Sequence, residues 1–153
     1  MTRSNAREIA IHLVYSLLYS DTPADELING RFDPEYYETL GAVCDVYAQK
    51  EDPKQTAYIR RVVSGVQEKR AELDAKIERH AVGWKISRIS GIARAILEVA
   101  LYEIEFEPDI PAGVAINEAI ELSKHYVEAE TTSFINGVLG SCVKEADGNV
   151  SGD

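Results

Sequence analysis

Catalysis needs nucleophiles, acids or metal ligands at matched spacings, and this sequence offers few. His12, His80 and His125 are scattered along the chain, whereas a metal site needs clustered ligands. Cys44 and Cys142 form no CxxC pattern and are predicted to be two reduced, buried thiols. The sequence contains no nucleotide-binding glycine-rich loop, no HExxH motif and no nucleophile beside a base. It therefore predicts no enzyme, no cofactor and no metal site.

Binding residues are easier to find, beginning with the first predicted helix. Arg7, Ile11 and Tyr15 follow one another at i, i+4 spacing along the flank of its apolar stripe, and Arg3 precedes them. A guanidinium beside an exposed aromatic ring suits single-stranded RNA, because the arginine engages phosphate while a base stacks on the ring. The alternative, a tyrosine that packs against a neighbouring helix, stays open.

Phe134 is a second candidate, at the start of the last predicted helix. It lies about a quarter-turn off the core stripe, where its ring could stay accessible and the backbone N–H groups of the helix start could meet a phosphate. A place at the edge of the core is the alternative. On the same helix, Gly137 and Gly140 are poor helix formers, and we expect close helix–helix approach to explain them.

The charge distribution limits how the chain could hold a polyanion. The net charge is −10, and acid is concentrated in residues 21–58, which carry nine acidic and three basic residues. Residues 59–90 carry eight basic and four acidic residues, and residues 1–20 carry two arginines and one glutamate. Any contact with RNA must therefore use local basic patches rather than a global field.

Helix signals dominate the sequence, and strand signals are nearly absent. Helices are predicted over about 5–19, 53–79, 91–107, 112–127 and 132–144. A further helix is predicted to begin at Pro34, with a core face that reaches Tyr47, and residues 21–33 are predicted to form a loop. We expect one all-α domain over residues 1–145, a compact bundle of five to seven helices, and a flexible tail over 146–153. No apolar run approaches the roughly 20 residues of a membrane span, and no secretory signal is present, so we expect a cytoplasmic protein.

The helix predicted over 91–107 is apolar on most of its circumference, which is typical of the centre of a bundle. Ile96 and Val99 should lie in that centre. Glu98 is assigned to a narrow polar strip together with Arg94 and Glu105. Arg70 falls inside the apolar stripe of the preceding helix, where we expect its side chain to reach along the surface into water.

Four blocks of the sequence stand out: AREIAIHLVYSLLYS, VVSGVQEKRAELDAKI, WKISRISGIARAILEVALYEIEF, and IPAGVAINEAIELSKHY followed by FINGVL. In this order they resemble the NusB family of bacterial transcription antitermination factors. The last two blocks are the specific ones, and together the four cover about half of the chain. The resemblance implies an all-α fold of two packed helical subdomains.

The resemblance also implies a function and a site. The family binds boxA-type RNA together with the small-subunit ribosomal protein that doubles as NusE, and helps to tether nascent RNA to transcribing RNA polymerase. Arg7, Tyr15 and Phe134 match positions where the family meets RNA. The chain differs from the family pattern at its N-terminus, which has a single arginine, Arg3, before the ARE motif. It also differs at Ala112, Gly113 and Ser133. Near the NusE-facing segment it differs at Ser87 and Ala93.

Two other functions remain open at this point. One is a protein–protein adaptor or homodimer of the same fold that binds RNA weakly or not at all, which the acidic balance favours. The other is an accessory domain of an RNA-modifying enzyme, since domains of this kind also occur fused to RNA methyltransferases. The chain has no methyltransferase half, so such an activity would need a separate partner.

Overall fold

A computed structural model describes residues 1–151, with the side chains of 147–151 left aside. This part of the chain contains seven α-helices, two short 3-10 helices and no strand, which confirms the predicted all-α class and helix number. The α-helices are α1 (Arg3–Ser16), α2 (Ala24–Arg31), α3 (Pro34–Gly41), α4 (Pro53–His80), α5 (Gly91–Phe106), α6 (Ala112–Ser123) and α7 (Ala129–Ser151). The 3-10 helices are Asp45–Tyr47 and Ile86–Arg88.

The chain forms two compact units, Met1–Glu68 and Lys69–Asp153, and α4 contributes residues to both. Two helical subdomains are what the family resemblance implies. The single domain over 1–145 stays a prediction. So does the flexible tail over 146–153: α7 continues to Ser151, and residues 152 and 153 lie outside the described residues. Among the described residues, no helix is both long enough and apolar enough to cross a membrane.

In the first unit, α1 begins two residues earlier than the sequence predicts. The Thr2 side chain accepts a hydrogen bond from the Asn5 amide, and the Asn5 side chain accepts one from the Thr2 amide, which completes a capping box. The predicted start at about residue 5 thus lies inside the first turn of the helix. The stripe that α1 buries is as expected and includes Ile9, Ala10, Leu13 and Val14.

Helix α2 lies where the sequence predicts a loop, and that prediction is wrong. Its N-cap, Pro23, provides no side-chain hydrogen bond. The cap comes instead from Gln67 of α4, whose Oε1 accepts from the Ala24 amide at 2.8 Å and whose Nε2 donates to the Thr22 carbonyl at 3.0 Å. A cap from a residue 43 positions away leaves no capping signal in the local sequence, although Asp25 and Glu26 in the first turn and Arg31 in the last turn are typical of a helix.

Helix α3 opens as predicted and ends sooner. Asp33 caps it by accepting from the Tyr36 amide, and Pro34 occupies the first turn. The predicted core face does not extend through Val43, which is 83% exposed. A Cβ at Gly41 would lie 2.9 Å from the Tyr47 carbonyl oxygen, so the close return of the chain requires glycine there.

In the second unit, α5 packs against both α6 and α7. Ser90 caps it by accepting from the Ala93 amide, which agrees with the predicted start. Ile96 and Val99 are buried, as expected of a central helix. On α7, nothing lies within 4 Å of where a Cβ would stand at Gly137 or Gly140, so the expected close helix–helix approach at these glycines is wrong.

A buried ionic network joins the second-unit part of α4 to α5, and it overturns two predictions. Glu98 is 0% exposed rather than on a solvated strip. Arg70 donates to it from Nε at 2.9 Å and from Nη2 at 3.1 Å, so this arginine does not simply reach into water. Arg94 donates to Asp74 at 2.6 Å and its Nε lies 3.5 Å from Glu98. The spacing of apolar residues assigned both side chains to the surface, because it cannot show that a charged residue on a core face has a partner of opposite charge.

Burial raises the pKa of Glu98 from its ordinary value of 4.5 to about 8. The neighbouring Asp74 acts in the same direction, while the Arg70 guanidinium opposes the rise. The folded protein therefore retains a proton on Glu98 at pH values where the unfolded chain has released it.

The substitution Ile96→Ala should lower the free energy of unfolding by about 2–5 kcal/mol, because it leaves a cavity at a fully buried position. Urea denaturation measures the change. Ile92→Ala on the same helix, where the side chain is only partly buried, should cost less. A loss below about 1 kcal/mol at Ile96 would show that α5 is peripheral.

The contribution of Glu98 to stability should fall as pH rises from about 4.5 to about 8, because in that interval the native state binds a proton on Glu98 that the unfolded state lacks. Glu98→Gln should flatten this dependence in urea denaturation at about pH 5 and pH 8, whereas Glu121→Gln at an exposed site of α6 should leave it unchanged. The same slope in wild type and Glu98→Gln would contradict the assigned direction of the pKa shift.

Candidate nucleic-acid interface

Arg3 stands at the start of α1 in the first unit, half-buried and held by two contacts. Its guanidinium carbon lies 4.2 Å from the centroid of the Tyr58 ring, within cation–π distance. Its Nε donates to Oε1 of Gln55 at 2.7 Å. These two contacts fix the orientation of the guanidinium, and its Nη groups carry the remaining hydrogen-bond donors.

Arg7 is buried, with 3% of its surface exposed, and its guanidinium carbon lies 6.0 Å from the Tyr58 ring centroid. Ile11, the next residue of the predicted row, is buried as well. The i, i+4 series therefore does not form a continuous exposed strip, and only Tyr15 reaches the surface. Arg7 acts here inside the first unit, and a direct contact of Arg7 with RNA stays a prediction.

Tyr15 is 39% exposed and meets a second exposed ring, that of Tyr19. The ring centroids are 5.3 Å apart and the planes make 65°, an edge-to-face pair. Tyr19 lies beyond the end of α1, where its amide donates to the Ser16 carbonyl at 3.1 Å, and it is 70% exposed. The Tyr15 and Tyr19 side chains are called the α1 patch below.

Phe134 lies in the first turns of α7, half-buried, beside the ring of Trp84. The centroids are 5.3 Å apart and the planes make 50°. Trp84, in the turn after α4, is 49% exposed. The sequence analysis did not identify Trp84 as a binding residue. The signal for it is a large aromatic residue in a polar turn, at the start of one of the family-like blocks.

The two rings border an open cleft of about 610 Å³ in the second unit, called the Trp84 cleft below. The remaining lining combines one guanidinium, two carboxylates and several hydroxyls: Arg88, Ile89, Ser90, Glu128, Glu130, Thr131 and Ser133. The cleft thus offers an aromatic wall together with hydrogen-bond donors and acceptors of both charges.

The cysteines show no feature of a reactive pair. Both are unbonded; Cys142 is buried and Cys44 is half-buried, so the expected burial is correct for the first alone. Burial raises the pKa of the Cys142 thiol to about 11, which disfavours the reactive thiolate. Within the described residues, no group of three His, Cys, Asp or Glu side chains is arranged to hold a metal ion.

Comparisons with known proteins agree on one family. The sequence profile of the NusB family matches residues 4–144. The transcription antitermination protein NusB of Acetivibrio thermocellus is 41% identical over 157 aligned residues, covering 100% of this chain and 99% of that protein. The NusB protein of Clostridium botulinum strain Kyoto is 34% identical over 143 residues, covering 94% of this chain and all of that protein.

Solved structures agree in fold. The structure of T. maritima NusB superposes with a TM-score of 0.70 at 29% identity, covering 95% of this chain and 92% of that one. A crystal structure of the antitermination factors NusB and NusE in complex with dsRNA has a TM-score of 0.75 at 22% identity, covering 94% and 96%. The second likeness concerns the fold alone. The profile match over most of the chain and the full-length relatives show that this chain belongs to the NusB family.

Proposed function

We propose that this protein is a transcription antitermination factor: a non-enzymatic adaptor that binds boxA-type single-stranded RNA together with the ribosomal protein that serves as NusE. The observation that carries the proposal is the full-length similarity to proteins named for transcription antitermination. A solved complex of the same fold contains NusB and NusE with dsRNA, which supports NusE and RNA as classes of partner. In this role the protein acts in the cytoplasm, within the complex of transcribing RNA polymerase.

The α1 patch supplies the first proposed contact. Tyr15 and Tyr19 present adjacent ring surfaces, and base–aromatic stacking tolerates any base because every base has a π face. Arg3 lies on the same helix with its guanidinium oriented by Gln55 and Tyr58, which suits it to a phosphate. Arg7, buried on α1 near the Tyr58 ring, contributes from within the unit.

The second-unit contact is Phe134, whose ring is partly accessible at the start of α7. Its place beside the open cleft gives a base room to approach the ring. Each unit thus offers an aromatic residue, and the proposal does not depend on a broad cationic surface.

Net charge shapes the expected binding mode. At −10, long-range attraction to RNA is weak, so few phosphates are neutralised in the complex. Two or three phosphate contacts correspond to a slope of log K against log salt of about −1.4 to −2.1 for single strands. Base stacking then supplies a large share of the affinity.

Tyr15→Ala and Phe134→Ala should each weaken binding of a labelled boxA-like RNA by about 1–3 kcal/mol, because each removes an aromatic contact to a base. Fluorescence anisotropy across a salt series measures both the affinity and the slope. The slope should stay near the wild-type value in both variants, since neither substitution removes a charge.

Two further variants serve as controls for that experiment. Tyr15→Phe keeps the ring and should bind nearly as wild type, whereas Tyr36→Ala removes another exposed tyrosine of the first unit, on α3, and should have no effect. Tyr15→Ala and Phe134→Ala proteins that fold normally and bind RNA as wild type does would refute the assigned site.

Addition of the NusE-type ribosomal protein should raise RNA affinity clearly, because the proposal has the two ligands bind together. The test matters for this chain because Ser87 and Ala93 stand where the family pattern near the NusE-facing segment is acidic. Anisotropy titrations with and without the partner, combined with light scattering, measure the effect. Equal affinities and a clean homodimer would favour the protein–protein adaptor with weak RNA binding.

A further inference from the structure

We infer that the Trp84 cleft is a pocket for one unpaired nucleobase of the bound RNA and that Trp84 is the ring on which the base stacks. The inference rests on the proposed function and adds to it a binding residue and a ligand class for the cleft. Its starting point is the contact between an exposed tryptophan and Phe134 at the border of an open cavity.

The ring geometry decides how a base can be held. A base inserted between two rings would need their planes about 7 Å apart, twice the ~3.5 Å contact distance. Trp84 and Phe134 are already in contact, with centroids 5.3 Å apart and planes at 50°. The base therefore stacks on one ring only. Trp84 is 49% exposed and Phe134 is more buried, so Trp84 offers the larger surface, with Phe134 supporting it from the side.

The backbone around Trp84 holds this ring at the border of the cleft. The Trp84 amide donates to the Ala81 carbonyl at 2.9 Å, which closes a turn directly after α4. The turn passes through Gly83, whose φ of +81° is readily adopted only by glycine. Ala81 itself is buried and secures the turn to the unit. An aromatic ring held in this way loses little conformational entropy when a ligand stacks on it.

The polar lining discriminates among ligands. Glu128 and Glu130 would repel a phosphate, and Arg88 offsets only part of their charge, so the lining disfavours an anionic group. A nucleobase is neutral and carries donors and acceptors on its edges, so it can pair with carboxylates, guanidinium and hydroxyls together. The volume of about 610 Å³ falls within the usual range of small-ligand sites, about 300–1,000 Å³, and leaves room for the sugar.

The chain provides its own probe, since Trp84 is its single tryptophan. Titration of the full-length protein with a boxA-like single-stranded RNA should quench or shift its intrinsic fluorescence. The midpoint of this change should equal the midpoint that fluorescence anisotropy gives for the same RNA carrying a label. An oligomer of the same length with an intact sugar–phosphate backbone but no bases should leave the emission unchanged.

The Trp84→Ala variant should weaken RNA binding by about 5- to 150-fold, the range that loss of one base–aromatic stack gives, whereas Trp84→Phe should stay within about threefold of wild type. Val82→Ala, at an exposed site in the same turn, is the matched control and should bind as wild type does. Circular dichroism of each variant verifies that it is folded.

The outcomes separate this inference from the proposed function. Anisotropy that reports RNA binding while Trp84 emission stays constant, or a folded Trp84→Ala variant that binds normally, overturns the base pocket and leaves the RNA-binding function standing. Absence of binding in both signals refutes both. Emission that responds to an oligolysine peptide and not to RNA would assign the cleft to a basic protein segment and also overturn the inference.

Discussion

The carboxyl group of Glu98 lies fully buried in α5, whose other buried residues are apolar apart from Glu103, and two hydrogen bonds from the guanidinium of Arg70 hold it there. Arg94 and Asp74 complete the network, so α5 and the second-unit part of α4 are joined by directional bonds. Apolar contacts around Ile96 have no fixed direction, whereas two hydrogen bonds from one guanidinium favour a single register of the two helices. Helices α6 and α7 both pack on α5, so their placement depends on the position of that helix.

Local signals in the sequence predict the helices well where the cap is local. Asp33 with Pro34, Pro53, and Ser90 each mark a helix start that the structure reproduces to within a residue. The cap of helix α2 could not be predicted because it belongs to the distant Gln67, which left only the charges of its first and last turns as a local signal. The core role of Glu98 was equally hidden, since periodicity assigns charged residues to the surface unless their distant partners are known.

The site divides in a similar way. Spacing on α1 identified the exposed Tyr15, and an offset from the core stripe identified the partly accessible Phe134, both of which are properties of a single helix. The burial of Arg7 depends on Tyr58, which is 51 positions away, so helical spacing could not reveal it. Trp84 lies in an irregular turn, where no period exists to predict which way a side chain faces.

The capping of α2 by Gln67 has a consequence for the order in which the chain acquires its structure. A ribosome adds about 5–20 residues per second, so Ala24 waits about 2–9 s for the partner 43 positions further along the chain. Eight residues make a helix too short to persist alone in water. We therefore expect the nascent segment around α2 to stay unstructured during translation, and the first unit to form in one cooperative step after α4 has left the exit tunnel.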